Sequence, residues 1–336
     1  MKNFLSFLFA LIAAFFVTIG ASPPAAATDK VKLGLGATND PAYLPFFVAI
    51  DKGYYRELGL DVEPIYVGGG IATAGLISGA IPFSTSTGSV ISAILKGAKL
   101  KVVMTLSESP PWKLWVTDPK IQTLADLKGK AVGIQSHGDL FEMSMRNLLM
   151  KNGMSGDAVT YVQLGFGSAP RLAVIKKHLL PAVLLTNLEE RIARKDHLLG
   201  GARMLVDISR VVRSPNNGLA VSDKLLEDNP ALVGRMLRGT LMAVRYIKTE
   251  RVGALAIFAK HAKGVAPDVL GGALDDQAAA FLDSGEASLQ AWEDELAVRA
   301  SIVGLKQAPP PQSVFDYALV KKAAKKLAAS GWRAEE

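Results

Sequence analysis

Residues 60–78 read LDVEPIYVGGGIATAGLIS, and in this stretch a predicted strand and a predicted helix meet at a run of three glycines. The strand is expected at 60–67 and the helix at 71–78. Glycine between a strand and a helix lets the backbone come close to a ligand. Strand, glycine loop and helix in this order indicate an α/β protein.

The chain on either side of this unit continues the alternation. Upstream, a strand is predicted at 31–35, where valine and leucine alternate with lysine and glycine, and a helix is predicted at 41–59. Downstream, strands predicted at 81–85 and 100–106 flank a helix at 88–96. This order favours a mostly parallel sheet that is covered by helices on both faces.

A second block of the same kind follows. Its predicted strands are 131–134, 159–164, 182–185, 204–208 and 219–221, and its predicted helices are 138–151 and 168–177. From residue 222 the pattern is helical, and Asn229-Pro230 is a strong start signal because asparagine caps a helix and proline fits its first turn. The helices of this last part are predicted at 230–249 and near 251–262, 286–303 and 313–329.

The chain is therefore predicted to form two α/β lobes that are joined by two hinge crossings and completed by a helical return. The crossings are expected near 107–118 and 210–221. Lobe 1 takes residues 28–111 and 219–336, and lobe 2 takes residues 112–218. A ligand is expected between the lobes, at the carboxyl ends of the strands.

The first 27 residues are predicted to be a signal peptide. A single lysine precedes an almost uninterrupted apolar run at 4–19, and Pro23-Pro24 and three alanines then supply a turn and a cleavage site. The apolar run is short for a membrane span. We therefore expect a periplasmic protein, and one that is not a lipoprotein because the sequence has no cysteine to carry a lipid.

The composition excludes several classes of function. The 336 residues contain no cysteine, which rules out disulfides, thiolate zinc sites and cysteine nucleophiles. The net charge of +7 is modest and does not indicate a nucleic-acid partner. The spacings of P-loop, zinc-protease and serine-hydrolase motifs are absent from the sequence. We expect no cofactor, no metal ion and no enzymatic activity.

Small and polar residues follow most of the predicted strands and lead into predicted helices. Backbone N–H groups at helix N-termini attract anions, and hydroxyl groups both donate and accept hydrogen bonds. The candidate ligand-binding residues in these loops are Asn39, Gly69, Gly70, Ser86, Thr87, Ser136, His137, Gly138, Gly167 and Ser168. Any one of these loops is better explained by helix capping or turn formation, so the prediction depends on their convergence in one cleft.

Three aromatic residues, Tyr43, Trp112 and Phe166, are candidates for stacking on a ligand. Tyr43 and Phe166 lie in predicted strand-end loops, and Trp112 lies at the first crossing. Packing in the core or at the hinge is the alternative for each of them. For His137, the alternative to a ligand contact is a partly buried histidine with its hydrogen bonds satisfied.

Three segments carry a recognisable pattern: PFFVAIDKGYYRELGLDV at 45–62, AILKGAKLKVV at 93–103 and LADLKGKAVG at 124–133. They resemble the solute-binding proteins of ABC importers, in the subgroup for sulfonates, nitrate, taurine and thiamine precursors, which is the SsuA/THI5-like or NMT1-like family. The glycines at 68–70 fall where that family has a glycine loop. The resemblance spans roughly residues 31–250.

The resemblance implies a periplasmic-binding-protein type II fold. A small-molecule ligand would be trapped between the lobes and delivered to a membrane permease with its ATPase, and we expect the protein to be a monomer. Fungal thiamine-pyrimidine synthases share this fold but need a cysteine-rich motif, which this sequence lacks.

Three functions follow as hypotheses. The first is a binding protein for a small anionic or polar heteroaromatic solute, and an anion is favoured because helix N-termini recur and the net charge is positive. The second is a ligand sensor or chemoreceptor accessory with the same fold. The third is an exported hydrolase that uses cleft carboxylates such as Asp40 or Asp139.

Overall fold

The structure, a computed structural model, describes residues 28–36, 40–165 and 167–334. The predicted signal peptide and the candidates Asn39 and Phe166 lie outside the described residues. In the described part of the chain, two five-stranded sheets form two lobes. The two-lobed α/β architecture predicted from the sequence is confirmed.

The strands of the described residues are β1 (Asp29–Leu35), β2 (Leu60–Tyr66), β3 (Phe83–Ser84), β4 (Leu100–Ser107), β5 (Trp112–Val116), β6 (Ala131–Ile134), β7 (Thr160–Gln163), β8 (Ala182–Thr186), β9 (Arg203–Asp207) and β10 (Asn216–Ser222). The first sheet has the order β2-β1-β3-β10-β4, and the second has the order β7-β6-β8-β5-β9.

The helices of the described residues are α1 (Leu44–Asp51), α2 (Tyr54–Glu57), α3 (Gly69–Ser78), α4 (Thr87–Leu95), α5 (Leu140–Lys151), α6 (Ala169–Lys177), α7 (Asn187–Lys195), α8 (Asp223–Asp228), α9 (Pro230–Thr249), α10 (Arg251–His261), α11 (Pro267–Ala280), α12 (Leu289–Ile302) and α13 (Ala318–Ala329). Short 3-10 turns lie at Pro41–Tyr43, Ala125–Leu127, Ile208–Arg210 and Pro311–Ser313.

The two sheets are built alike. In the first, β1 is parallel to β2 and β3, and β10 is antiparallel to β3 and β4. In the second, β6 is parallel to β7 and β8, and β5 is antiparallel to β8 and β9. The antiparallel strand is β10 in the first sheet and β5 in the second. Each is the first strand of its sheet after the chain crosses from the other lobe. The parallel strands of each sheet end at one edge, where their loops meet a common cleft.

The long helix α9 shows how the sequence fixes the packing of the first lobe. Asn229 caps it by accepting a hydrogen bond from the Leu232 N–H at 3.0 Å, as the Asn-Pro signal predicts. Val233, Leu237 and Leu241 recur at a spacing of four residues and are buried in the core of this lobe. An apolar stripe of this kind fixes which face of the helix points to the core, because burial of the apolar face is the main source of stability for an amphipathic helix.

The structure differs from the sequence prediction in three helices and in the length of the crossings. Helices α7, α8 and α11 were not predicted. The crossings are reduced to residues 108–111 and 208–215, because pairing within the sheets extends β5 and β10 into the predicted crossing segments. The predicted lobe boundary at residue 218 therefore falls inside β10. In the described part of the chain, no helix has the length and apolar character needed to cross a bilayer.

Candidate functional site

A cavity of about 240 Å³ lies between the two lobes, at the carboxyl ends of the parallel strands. The first lobe contributes the loop after β1 and the first turns of α3 and α4. The second lobe contributes the start of β5, the loop after β6 and the first turn of α5, and the start of β10 completes the wall. This is the position that the sheet topology predicts.

The structure brings most of the predicted site residues together. The candidates that line the cavity are Tyr43, Gly69, Gly70, Ser86, Thr87, Trp112 and Ser136. Gly167 and Ser168 line a smaller recess that adjoins it. His137 and Gly138 line neither space, and the His137 side chain is 60% exposed and lies 3.4 Å from Glu142 Oε2.

The first turns of α3 and α4 present unpaired backbone donors to the cavity. The N–H groups of Gly69, Gly70 and Ile71 in α3, and of Gly88 and Ser89 in α4, have no hydrogen-bond partner among the described residues. Gly69 and Gly70 were expected in a loop, but they form the first turn of the helix. These five groups suit acceptor oxygens of a ligand, such as carbonyl groups or an anion.

Aromatic rings form a second part of the wall. The ring of Trp112 stacks on that of Phe141, with centroids 4.2 Å apart and planes inclined at 22°. The Arg171 guanidinium lies 5.0 Å from the centre of the Phe141 ring. Tyr43, from the first lobe, adds a third ring. Phe141 was not predicted as a site residue, because in the sequence it is one of several apolar residues of an amphipathic helix.

Two carboxyl groups, one from each lobe, also line the cavity. Asp40 Oδ1 accepts a hydrogen bond from the Ala42 N–H at 2.9 Å. Asp139 caps α5, and its two oxygens accept hydrogen bonds from the N–H groups of Glu142 and Ser136 at 3.0 and 2.9 Å. Asp40 Oδ2 has no hydrogen-bond partner among the described residues, so it can accept a hydrogen bond from a ligand.

Burial shifts the protonation of both groups. Removal from water raises the pKa of Asp40 from 3.8 to about 6, and nearby Glu189 adds to the rise while the Ala42 N–H and Arg171 oppose it. Burial likewise raises the pKa of Asp139 to about 7, against the hydrogen bonds of its cap. At neutral pH Asp40 is mainly ionised, and Asp139 is close to its midpoint.

Asp40→Asn should raise the melting temperature at pH 8 by about 2–4 °C relative to the wild type, and should give no gain at pH 4. The raised pKa means that the folded state binds a proton more tightly than the unfolded state. The free energy of unfolding therefore falls as the pH rises from 3.8 to about 6, and asparagine avoids this loss while still accepting from Ala42.

Thermal unfolding at both pH values measures the effect. Asp118→Asn is the control, since Asp118 accepts the same type of bond from the Lys120 N–H at 2.9 Å on the surface. An equal gain for both variants at pH 8 would show that burial of Asp40 is not the cause.

The adjoining recess, of about 40 Å³, shares Asp40, Tyr43 and Gln135 with the cavity. Its wall contains an ion pair in which Arg171 Nη2 lies 2.6 Å from Glu189 Oε1, with 4% and 1% of the two side chains exposed. Buried charges of this kind are tolerated when each is paired and hydrogen-bonded. The positive and negative charges of the pair neutralise each other. The pair therefore makes the recess polar without giving it a net charge.

Two asparagines of β10, Asn216 and Asn217, line the cavity and were not among the predicted site residues. Asn217 adopts a left-handed conformation with φ of 49°, which asparagine tolerates better than most residues. The following Gly218 packs against the backbone of β4. In the sequence, the dipeptide Asn217-Gly218 was the one feature that could have drawn attention to this position, because Asn-Gly indicates irregular backbone.

The described residues contain no group of three or more histidine, aspartate or glutamate side chains that could hold a metal ion. The cavity wall also contains no lysine, arginine or histidine among the described residues. The site thus offers aromatic faces, hydroxyl and amide groups, two carboxyl groups and unpaired N–H groups.

Comparison with known proteins gives relatives of two kinds. The riboflavin-binding protein RibY of Chloroflexus aurantiacus is 27% identical over 239 residues, a match that covers 67% of this chain and 64% of that protein. The chain therefore spans a little under two-thirds of RibY. The 4-amino-5-hydroxymethyl-2-methylpyrimidine phosphate synthase THI11 of Saccharomyces cerevisiae is 24% identical over 250 residues, which cover 68% of this chain and 69% of the enzyme.

Among solved structures, the periplasmic aliphatic sulphonate binding protein SsuA from Escherichia coli superimposes with a TM-score of 0.69 at 17% identity. The superposition covers 86% of this chain and 92% of SsuA. It confirms the periplasmic-binding-protein type II fold. The family model described as NMT1/THI5 like matches residues 40–251, which is well over half of the sequence. With this fold, this cavity and this match, the chain belongs to the NMT1/THI5-like family.

Proposed function

We propose that the protein is the extracytoplasmic solute-binding component of an ABC importer, and that its solute is a neutral, polar heteroaromatic molecule. The observation that carries the proposal is the composition of the cavity between the lobes. Aromatic rings, two carboxyl groups and unpaired backbone N–H groups line one space of about 240 Å³. A cavity with these groups suits a flat ring that has polar groups at its edge.

The aromatic part of the wall supports a ring as the ligand. Trp112 and Phe141 are already stacked on each other, so their positions are fixed before a ligand binds. Both are held in the core of the second lobe. A rigid aromatic face binds a flat ligand with little loss of side-chain entropy.

The charges of the wall favour a neutral ligand over an anion. The expectation of an anion rested on helix N-termini and on the positive net charge. The cavity has the helix N-termini, but its described wall contains Asp40 and Asp139 and no cationic side chain. A sulfonate or nitrate would be brought close to carboxyl groups in a partly desolvated space, which is unfavourable.

The polar groups of the wall suit a ligand with both acceptors and donors. The five unpaired N–H groups of α3 and α4 would donate to carbonyl oxygens or ring nitrogens. Asp40 Oδ2 would accept from an N–H group on the same ring. Pyrimidines and flavins carry both kinds of group, whereas alkanesulfonates and nitrate offer acceptors only.

The names of the relatives agree with this class of solute. One relative is named for riboflavin, and the yeast relatives are named for a substituted pyrimidine. Both names refer to nitrogen heterocycles. The likeness to the sulphonate-binding protein, at 17% identity, extends to the fold alone.

Contacts between the lobes support capture by hinge closure. Among the described residues, three ion pairs connect the lobes, and in each the acid lies on α11 or α12 and the base lies on α5 or α7. They are Lys151–Asp294 at 2.6 Å, Arg191–Asp276 at 2.9 Å, and Lys195–Asp268. Helices of the two lobes thus meet at two places, α5 with α12 and α7 with α11, as they would around a trapped solute.

Asp276→Asn with Asp294→Asn should weaken the binding of riboflavin about threefold to fivefold at low ionic strength, because two closure contacts are lost. The difference from the wild type should disappear in 0.5 M NaCl, since salt screens partly exposed pairs. Titration calorimetry at both salt concentrations measures it. The control is Asp283→Asn, because Asp283 pairs with Lys248 at 2.7 Å within the first lobe. An equal loss in that variant would contradict a role in closure.

The remaining parts of the proposal concern location and partners. The predicted signal peptide at 1–27 would direct the protein to the periplasm, where it would deliver its solute to a permease with an ATPase. The alternative of a ligand sensor uses the same binding step. Uptake of radiolabelled riboflavin by cells with and without the gene distinguishes them, because loss of uptake supports transport and unchanged uptake supports sensing.

Titration calorimetry on residues 28–336 tests the ligand class. The panel contains riboflavin, uracil and 4-amino-2-methylpyrimidine, and it also contains taurine, ethanesulfonate and nitrate. We expect saturable binding of at least one heteroaromatic compound at one site, and no saturable binding of the anions. Tight binding of an anion alone, or conversion of any compound to a product, would contradict the proposal.

A further inference from the structure

A buried arginine connects the lobes behind the cavity. Arg299 lies on α12 of the first lobe, and its Nε donates to Glu295 Oε1 at 2.6 Å, with 2% and 1% of the two side chains exposed. A buried ion pair adds little to stability by itself, because desolvation of the two charges offsets their attraction. The other contacts of the guanidinium group therefore need an explanation.

One of these contacts crosses to the second lobe. Arg299 Nη1 donates to Ser92 Oγ at 2.6 Å and to the carbonyl oxygen of Gly138 at 3.2 Å. Ser92 Oγ also donates to the Gly138 carbonyl, at 3.4 Å. Gly138 has a left-handed φ of 75° and lies between Ser136 and Asp139, which line the cavity. The contact therefore holds the loop after β6 against the first lobe.

The other end of this network lies at the hinge. Glu295 Oε2 accepts a hydrogen bond from Ser214 Oγ at 2.7 Å. Ser214 belongs to the second crossing, and its N–H donates to the carbonyl oxygen of Glu108 in the first crossing at 3.0 Å. A continuous set of hydrogen bonds thus runs from the two crossings through Glu295 and Arg299 to the cavity loop.

The hydrogen bonds of Arg299 are incomplete. Its Nη2 is buried and has no hydrogen-bond partner among the described residues. It lies beside Gly88, where an added Cβ would be 3.5 Å from it. An unsatisfied buried donor is unfavourable. A residue selected only to stabilise the first lobe would not need a forked donor that reaches the other lobe.

We propose that Arg299 is a positioning residue that favours closure of the lobes by binding the Gly138 carbonyl. The proposal rests on the proposed function only in taking closure as the motion that traps a solute. When the lobes separate, the bond to Gly138 is lost while the pair with Glu295 remains inside the first lobe. Arg299 therefore stabilises the closed arrangement relative to the open one.

Cross-linking in the absence of any ligand tests this inference. The sequence has no cysteine, so Lys151→Cys with Asp294→Cys provides the only thiols, one on each lobe at a contact of the closed arrangement. The rate of cross-linking by a short bis-maleimide reports how often the lobes close. Because no ligand is added, a failure to bind riboflavin would not affect the result.

In this background, Arg299→Lys should slow cross-linking about fivefold. Lysine keeps the charge opposite Glu295 but lacks the forked donor that reaches Ser92 and Gly138. Ser92→Ala removes one donor to the Gly138 carbonyl and leaves the ion pair of Arg299 and Glu295 intact, so it should slow cross-linking about twofold. This variant also tests the proposal if Arg299→Lys does not fold.

Arg245→Gln is the matched control. Arg245 is partly buried in the first lobe, and its Nη1 donates to the Trp332 carbonyl at 3.0 Å. Its cross-linking rate should equal that of the parent. Unchanged rates in Arg299→Lys and Ser92→Ala, or an equal decrease in Arg245→Gln, would overturn the proposal and leave Arg299 as a structural residue.

Discussion

Gly218→Ala should lower the free energy of unfolding by about 3–5 kcal/mol, the largest effect on stability that we expect from a single methyl group in this protein. Gly218 lies in β10 with φ of 153°, between two strands of the first sheet. A Cβ there would overlap the carbonyl oxygen of Met104 and lie 3.0 Å from the Cα of Thr105. Both atoms belong to the backbone of β4, so rotation of a side chain cannot relieve the clash.

Urea denaturation followed by circular dichroism measures this loss. Gly234→Ala is the control, because Gly234 lies in α9 with no atom within 4 Å of an added Cβ. Alanine in a helix should raise the free energy of unfolding by about 0.5–1 kcal/mol. A Gly218→Ala variant as stable as the wild type would show that β10 can separate from β4 at this point, contrary to the pairing of Gly218 with Thr105 in the sheet.

Trp112→Leu should weaken the binding of riboflavin about 100-fold, which is the largest effect on affinity that we expect. Trp112 is 4% exposed, stacks on Phe141 and lines the cavity. Leucine would remove the aromatic face and also the support that holds Phe141 in place. Fluorescence titration with riboflavin measures the change.

The control for this variant is Trp115→Leu. Trp115 lies on the same strand, is 2% exposed and packs in a different hydrophobic cluster on the other face of β5. We expect a comparable loss of stability in both variants, but a loss of affinity in Trp112→Leu alone. Equal affinity in the two variants would remove Trp112 from the binding site.

The sequence predicted the architecture well because the strands and helices of the two blocks alternate clearly. The strands at 31–35, 60–67 and 100–106 and the helix opened by Asn229-Pro230 all occur in the structure at nearly the same residues. Signals of this kind are local, since they depend on periodicity and capping within one element. The order of the strands depends on pairing between distant residues, which periodicity within one element does not report, and it was not predicted.

Helices α7 and α11, two of the three that were not predicted, show how local signals are overlooked. Helix α7 begins with a capping box in which Thr186 and Glu189 bond to each other's backbone N–H groups. The T-x-x-E spacing was present in the sequence, but it follows directly on β8 without a turn residue. Helix α11 begins at Pro267. The two helices contribute Arg191, Lys195 and Asp276 to the contacts between the lobes.

The site residues that lie in strand-end loops or at a crossing could be predicted from the sequence. Those that reach the cavity only because of how the helices and strands of the two lobes are placed could not. Tyr43, Ser86 and Trp112 were chosen because they follow strands or lie at a crossing, and the structure places them in the cavity wall. Phe141 and Asn216 also line the cavity, through the orientation of α5 and the extension of β10. Asp40 and Asp139 were named as cleft carboxylates from the sequence, and the structure places both in the cavity wall.

The chemistry of the cavity changes the expectation of the ligand. Helix N-termini and a net charge of +7 favoured an anion when the loops were considered one by one. Asp40 and Asp139 lie on opposite lobes and are far apart in the sequence. Local fields from side chains that line a site outweigh the net charge of the whole chain, which acts at longer range and is screened by salt.

A crystal structure of residues 28–336 grown with the heteroaromatic compound that binds most tightly in the calorimetric panel is the most direct test of the account. We predict one ring in the cavity, in contact with Trp112 or Phe141, with an N–H edge within hydrogen-bond distance of Asp40 Oδ2 and an acceptor facing the first turn of α3 or α4. A ligand bound outside the space between the lobes, or a ring with no polar contact to these groups, would contradict it.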